Sequence, residues 1–240
     1  MYLQFKADID RLLGKIAIGA DLMPHLSTQI GIGYEEDRQG RPGKRSLDLL
    51  LNDWGVHHLH FGHTLRPDGF VERPKDKSEL LFVIFRANTA FVLNVFTHDD
   101  WIREDVVRIA VRNWPTRNLF SRLNGAVGLE RPISEDDRKQ LRNAHGNALI
   151  EIDGEVFMGR GLSAAGTSTE ATIRADRLRK CLDAYCADES MIVSAMKAQA
   201  DNLKRRIPNR PTFELIEALS ELGYGFALRE QKSGATLWVG

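Results

Sequence analysis

Four histidines fall within ten residues of this 240-residue chain, in the stretch WGVHHLHFGH at residues 54–63. If residues 56–61 form a strand, side chains alternate between its two faces, so His58 and His60 share one face. Their imidazoles then lie about 6.5–7 Å apart along the strand. Histidine titrates near neutral pH and also binds metal ions, so this spacing fits either acid–base chemistry or two ligands of one metal ion.

Acid–base chemistry on RNA needs three groups around the phosphate. Cleavage through the 2′-hydroxyl requires a base for that hydroxyl, an acid for the departing 5′-oxygen and a cation at the phosphate. The histidines fit the first two roles, a glutamate is an alternative base, and arginine fits the third. The predicted catalytic residues are His58, His60, His98, Arg86 and Glu79. Arg66 and Lys75 are alternative phosphate contacts.

A metal-dependent alternative uses the same histidines as ligands. A His-x-His pair on a strand recurs in metal sites, and His98 would supply the third ligand beside His58 and His60. The chain would then be a metal-dependent hydrolase or phosphodiesterase with zinc or manganese as cofactor. The acid–base mechanism needs no cofactor, and both remain open at this stage.

The element that brings His98 to the site is a predicted hairpin. Residues 80–86 and 90–96 are two β-rich apolar runs around a tight turn, which indicates two antiparallel strands. Because both runs are almost continuously apolar, we expect central strands covered on both faces. A three-histidine site forms if the strand at 56–61 pairs beside the strand at 90–96.

The rest of the chain alternates helical and hairpin patterns. Helices are predicted over residues 5–18, 46–51, 102–113, 134–144, 169–184, 191–206 and 213–222, and further hairpins over 148–158 and 224–239. The fold class is therefore α+β, with antiparallel hairpins packed with helices in two subdomains, 1–125 and 126–240. The polar, glycine-rich segment 33–45 is predicted to be a flexible loop or an arm that orders on a partner.

Composition limits the partners. Thirty-three basic residues balance thirty-three acidic ones, so the whole chain has no net attraction to nucleic acid or to a membrane. Its longest apolar runs are shorter than the about 18 residues of a membrane span. Cys181 and Cys186 lie on different faces of a predicted helix and are expected to be reduced, which favours the cytoplasm.

One local basic surface is nevertheless predicted. Residues 106–129 contain four arginines and no acid, with aromatic residues between them, a pattern typical of contacts to phosphates and unstacked bases. The predicted nucleic-acid contacts are Arg108, Arg112, Trp114, Arg117 and Arg122. The alternative is that the aromatics are core residues and the arginines form a solvated helix face.

The order of elements over residues 46–100 resembles the C-terminal sheet of RelE/HigB-type ribonuclease toxins. The resemblance depends on a helix, a strand and then a hairpin with Arg86 near its turn and His98 at its exit. It implies an endoribonuclease of toxin or phage-defence type that cuts RNA in preference to DNA without metal and has an antitoxin-like protein partner. The alternative outside enzymes is a non-catalytic module that binds nucleic acid or protein.

Overall fold

The computed structural model describes residues 2–28, 47–73, 79–86, 88–202, 206–220 and 223–239. The chain divides into two compact units, Met1–Thr169 and Glu170–Gly240. The predicted arm at 33–45 lies outside the described residues. Helices and three antiparallel sheets within the described residues confirm the predicted α+β class.

The first unit contains the sheet that carries the histidines. Its elements are helix α1 (Tyr2–Ala17) and strands β1 (His57–His60), β2 (Glu79–Arg86) and β3 (Thr89–Thr97). The predicted hairpin is confirmed, because β2 and β3 pair antiparallel along their length. The strand order is β1-β2-β3, so the prediction that β1 pairs beside β3 is wrong. The almost continuously apolar β2 takes the central position, where neighbouring strands satisfy both of its edges.

The two faces of this sheet are covered differently. Leu59 and Leu81 pack with Phe5 and Ile9 of α1 on one face. The other face carries Leu80 and Phe82 beside the imidazoles of β1, as the predicted alternation requires. A register shift between Phe82 and Val83 places one extra residue in β3, a bulge that changes which face the second half of β3 presents.

Short elements enclose the histidine face. They are α2 (Leu49–Trp54), a 3-10 helix (His98–Ile102), α3 (Glu104–Asn113) and α4 (Glu135–Asn143). Helix α2 is capped by Asp48, whose side chain accepts a hydrogen bond of 3.0 Å from Leu51 N, rather than by the predicted Ser46, which lies outside the described residues. The 3-10 helix begins with a reciprocal cap between Thr97 and Asp100.

A second small sheet completes the first unit. It consists of β4 (Ser121–Arg122), β5 (Ile150–Ile152) and β6 (Glu155–Met158) in the order β4-β6-β5. Residues from this sheet, including Ile150 and Phe157, share one core cluster with Phe82 and Val106. The predicted boundary at 125/126 therefore falls inside the first unit, because β4 pairs with β6 across it.

The second unit combines two helices with a sheet. Its elements are α5 (Thr169–Ala187), α6 (Glu189–Asn202), β7 (Phe213–Ser220), β8 (Gly223–Glu230) and β9 (Thr236–Trp238), with the strand order β7-β8-β9. The predicted helix at 213–222 is wrong, because residues 213–220 form β7 and pair with β8, while 221 and 222 lie outside the described residues. Short apolar segments fit either period, and here strand pairing decided the outcome. No described helix has both the length and the apolar character to cross a membrane.

Candidate active site

Three histidine rings meet on one face of the first sheet. Their centroids are 5.5 Å apart for His58 and His60, 5.5 Å for His58 and His98, and 5.2 Å for His60 and His98. Strand alternation places the first two side by side on β1, and His98 begins the 3-10 helix that follows β3. The three rings therefore converge although β2 separates the strands that carry them.

A pocket of about 360 Å³ opens beside these rings. Its size lies within the range of small-molecule sites and suits a group as large as one nucleotide. Apolar residues, among them Leu80 and Phe82, form part of the wall. The polar side chains of the lining include those of Ser27, Thr28, Asp48, His58, Arg73, His98 and Asn143.

Asp48 controls the orientation of His58. Its Oδ2 lies 3.5 Å from Nδ1 of His58, and both side chains are buried. A carboxylate can only accept hydrogen bonds, so its position favours the tautomer with the proton on Nδ1. Nε2 then carries the lone pair, and among the described residues this buried atom has no hydrogen-bond partner. His58 is thus an oriented base with an unused acceptor.

His60 is fixed through its backbone. Its side chain is 4% exposed, and Nε2 has no partner within the described part of the chain. Its carbonyl accepts a hydrogen bond of 2.9 Å from Nδ1 of the buried His25. Lys15 Nζ donates to Nε2 of His25 over 2.8 Å, which completes a chain from α1 to β1. His25 was not predicted, because no local spacing connects residue 25 to residue 60.

All three imidazoles, of which His58 and His98 line the pocket, are held in the neutral form at pH 7. Burial lowers the pKa of His60 to about 3. Burial also lowers the pKa of His58, although the charge of Asp48 opposes this effect. Burial lowers the pKa of His98 as well, and electrostatic repulsion from His58 and Arg73 lowers it further. Neutral imidazoles are proton acceptors and metal ligands, so the pocket is poised for either role.

Arg73, rather than the predicted Arg86, supplies the cation beside the histidines. It lines the pocket, and its positive charge contributes to the lowered pKa of all three histidines. Burial lowers the pKa of its own guanidinium. No hydrogen bond or ion pair joins it to another described residue. Arg73 lies two residues after Val71, which pairs with Leu65 and so folds the connection between β1 and β2 back on itself. This fold of the connection has no periodic signal in the sequence.

The other predicted catalytic residues lie elsewhere. Arg86 is at the opposite end of β2 from the histidines, paired with Thr89. Glu79 begins β2 on the face shared with Leu81, which packs on α1 rather than on the pocket. Arg66 pairs with Asp68 over 3.1 Å in a surface turn, and residue 75 lies outside the described residues. Of the five predicted catalytic residues, the structure brings together His58, His60 and His98.

The predicted basic surface is largely compensated by acids. Arg108 pairs with Asp105 at 2.9 Å, Arg112 with Asp153 at 2.6 Å, and Arg122 with Glu155 at 2.8 Å. Trp114 packs edge-to-face against Phe91, with ring centroids 5.3 Å apart. Arg117 alone of the four arginines has no ion pair with a described residue. These contacts favour the core-and-solvated-face alternative, and the nucleic-acid interface stays a prediction.

The arrangement of possible metal donors bears on the metal-dependent alternative. Among the residues that the structure describes, no group of three or more histidine, cysteine, aspartate or glutamate side chains is arranged to hold a metal ion. The three pocket rings are tilted against one another by 42° to 79°. The metal-dependent alternative therefore stays a prediction.

Comparison of the chain with protein-family models, with curated proteins and with solved structures finds no match. The resemblance of residues 46–100 to RelE/HigB-type toxins therefore stays a prediction. The functional proposal depends on the geometry of the pocket.

Proposed function

We propose that the pocket lined by His58 and His98, with the buried His60 beside them, is the active site of an endoribonuclease, a hydrolase that cleaves RNA through its 2′-hydroxyl. The single observation that carries the proposal is the convergence of three imidazoles within 5.5 Å of one another beside Arg73, a cation without an ion pair among the described residues. Two proton-transfer groups and one cation are what this reaction requires.

Roles follow from the surroundings of each group. His58, oriented by Asp48, takes the 2′-hydroxyl proton on Nε2, and the 2′-oxygen then attacks phosphorus. His98, the most exposed of the three, gives a proton to the departing 5′-oxygen. Arg73 neutralises charge on the non-bridging oxygens. The products are a 2′,3′-cyclic phosphate and a 5′-hydroxyl.

The acid must be charged before it can act. Burial and two neighbouring positive or titratable groups keep the pKa of His98 below its ordinary value. An anionic phosphate next to the ring favours the imidazolium form, which opposes these effects. Binding of the substrate therefore helps to protonate its own general acid.

A metal-dependent phosphodiesterase is the second candidate. The observation in its favour is that Nε2 of His58 and Nε2 of His60 are both buried without a partner among the described residues. Buried polar atoms normally have partners, and neutral imidazoles are the form that binds zinc or manganese. His98 would be the third ligand of this site.

RNA cleavage with and without metal separates the two candidates. Purified protein is incubated with labelled RNA in EDTA and in added zinc or manganese, alongside the same RNA with 2′-deoxy substitutions. Cleavage in EDTA that stops at 2′-deoxy positions supports the proposal. Cleavage only with metal supports the second candidate, and tight RNA binding without cleavage supports a binding module.

Replacement of His98 tests the assigned acid. His98→Gln should lower the cleavage rate by about 10²–10⁴-fold, because one general acid contributes about this much. The ring is exposed, so the variant should unfold at the wild-type temperature. His63→Gln, which removes an exposed histidine outside the pocket lining, is the matched control and should cut RNA at the wild-type rate. Full activity in His98→Gln would remove His98 from the mechanism.

A toxin or phage-defence effector acting on cytoplasmic RNA, held inactive by an antitoxin-like protein, is the biological setting that we propose. The support is the resemblance of residues 46–100 together with the pocket chemistry. Growth arrest on expression, relieved by His98→Gln, is the expected result. Normal growth with active wild-type protein would contradict the toxin role but not the ribonuclease.

A further inference from the structure

A second buried polar cluster lies behind the pocket. Arg142 of α4 is 0% exposed, and its Nε donates to Asp53 Oδ2 over 2.6 Å. Its Nη1 donates to the carbonyl of Trp101. Its guanidinium carbon lies 3.7 Å from the ring centroid of Trp54 and 5.4 Å from that of Trp101. One side chain therefore binds two other elements at once.

Each of those two elements brings one group to the site, Asp48 at the cap of α2 and His98 at the start of the 3-10 helix, whereas His58 lies on β1. Asp53 and Trp54 are the last residues of α2, whose opposite end is capped by Asp48, the partner of His58. Trp101 belongs to the 3-10 helix that begins at His98. Arg142 itself does not line the pocket. From outside the pocket, Arg142 thus links α2, which Asp48 caps, to the 3-10 helix, which begins at His98.

We infer that Arg142 is a positioning residue, which sets the distance between His98 and the Asp48–His58 pair by holding the 3-10 helix against α2. A buried guanidinium with two directional hydrogen bonds and an aromatic face on its plane has little freedom to move. Proton transfer depends on placement, and a displacement of about 1 Å in an active site can cost about 10²-fold in rate.

Arg138 provides a natural comparison on the same helix. It lies one turn earlier on α4, is 1% exposed, and Nη1 donates to the carbonyl of Ile102 over 2.9 Å. It therefore also holds the 3-10 helix. Its polar contacts are with Ile102, Ile133 and Glu104, and none of these residues belongs to α2. Loss of Arg138 weakens the packing of α4 but leaves the link between α2 and the 3-10 helix intact.

The test uses lysine variants, which keep the charge. The Arg142→Lys variant would have one ammonium group in place of the guanidinium fork, so it can reach Asp53 or the Trp101 carbonyl but not both in the present geometry. Arg138→Lys is the matched control. Both are studied below the onset of unfolding, as recorded by circular dichroism, so that only folded protein is compared.

Two readouts are then measured in the folded proteins. The first is the set of histidine ring signals by NMR, including the contact between His58 and His98. The second is RNA cleavage, which rests on the proposed function. In Arg142→Lys the ring signals should shift, the contact should weaken, and kcat should fall by about 10–100-fold with KM unchanged. Arg138→Lys should retain wild-type ring signals and kcat.

If the histidine ring signals move equally in Arg142→Lys and Arg138→Lys, or do not move in Arg142→Lys, the inference is overturned. A merely structural role of Arg142 predicts no difference between the two variants. If Arg142→Lys is too unstable to compare, Asp53→Glu lengthens the same link from α2 and is expected to move the same ring signals. If wild type cuts no RNA, the proposed function fails, while the NMR contact still decides the positioning role.

Discussion

Two buried polar clusters lie in the first unit, and they differ in how their charged and titratable groups are paired. In the Arg142 cluster, which consists of Asp53, Trp54, Trp101 and Arg142, the buried charge faces a carboxylate, a carbonyl and an indole ring. In the pocket, Nε2 of His58 and Nε2 of His60 have no partner within the described residues. Arg142 Nη2 and Trp54 Nε1 are also buried without a described partner, so the difference lies in the ion pair of Arg142 with Asp53. This ion pair supports the fold, whereas the imidazole nitrogens are available to a ligand.

The largest predicted effect follows from breaking the buried ion pair between Asp53 and Arg142. Asp53→Asn leaves the buried guanidinium of Arg142 without its carboxylate and should cost about 3–5 kcal/mol of unfolding free energy. The matched control is Asp153→Asn, which breaks an exposed pair with Arg112 and should cost less than about 1 kcal/mol. Urea unfolding measures both. Equal losses would contradict the structural assignment of the Arg142 cluster.

Burial of His60 should lower the unfolding free energy at acid pH. Burial lowers the pKa of His60 from 6.5 to about 3, so between these values the unfolded chain binds a proton that the folded chain does not. The unfolding free energy should therefore rise as pH increases from about 3 to about 6.5, and this contribution is level above that range.

Replacement of His60 isolates that contribution. His60→Gln should reduce the slope of unfolding free energy against pH by up to about 1.4 kcal/mol per pH unit, the value for one proton. Denaturant titrations between pH 4 and 7 supply the measurement. An unchanged slope in His60→Gln would mean that its ring is solvated.

The smallest predicted effect concerns the one carboxylate that the pocket uses. Asp48→Asn keeps a good cap for α2, so stability should change by only a few tenths of a kcal/mol. The amide no longer favours the proton on Nδ1 of His58, and RNA cleavage should fall roughly tenfold. Asp68→Asn, in the surface turn with Arg66, is the control. A full rate in Asp48→Asn would show that His58 needs no orienting partner.

Local periodicity predicted part of this site. Alternation along residues 56–61 correctly separated His58 and His60 from Leu59, and the apolar runs predicted the β2–β3 hairpin. His98 was predicted to join the other two histidines on the expectation that β1 pairs with β3. The three rings do converge, but β2 lies between β1 and β3. Periodicity reports which face a side chain takes, but it does not report which strands are adjacent.

The residues that periodicity missed are those placed by distant contacts. Asp48 meets His58 from a helix cap, Arg73 arrives on a folded connection, and His25 supports His60 from a separate segment. Segment 213–220 failed in another way, because its apolar spacing fits a helix as well as a strand and the pairing with β8 decided between them. Each case depends on a partner that lies elsewhere in the chain.

Helix α2 is only six residues long, yet it makes buried contacts at both ends. Its cap Asp48 lies next to His58, and Asp53 near its C-terminal end binds Arg142. A segment anchored in this way cannot fray by itself without breaking the buried ion pair. Its amide protons should therefore exchange with deuterium only when the first unit opens as a whole, unlike those of an ordinary surface helix of this length. The pocket wall formed by α2 would then open only together with the core behind it.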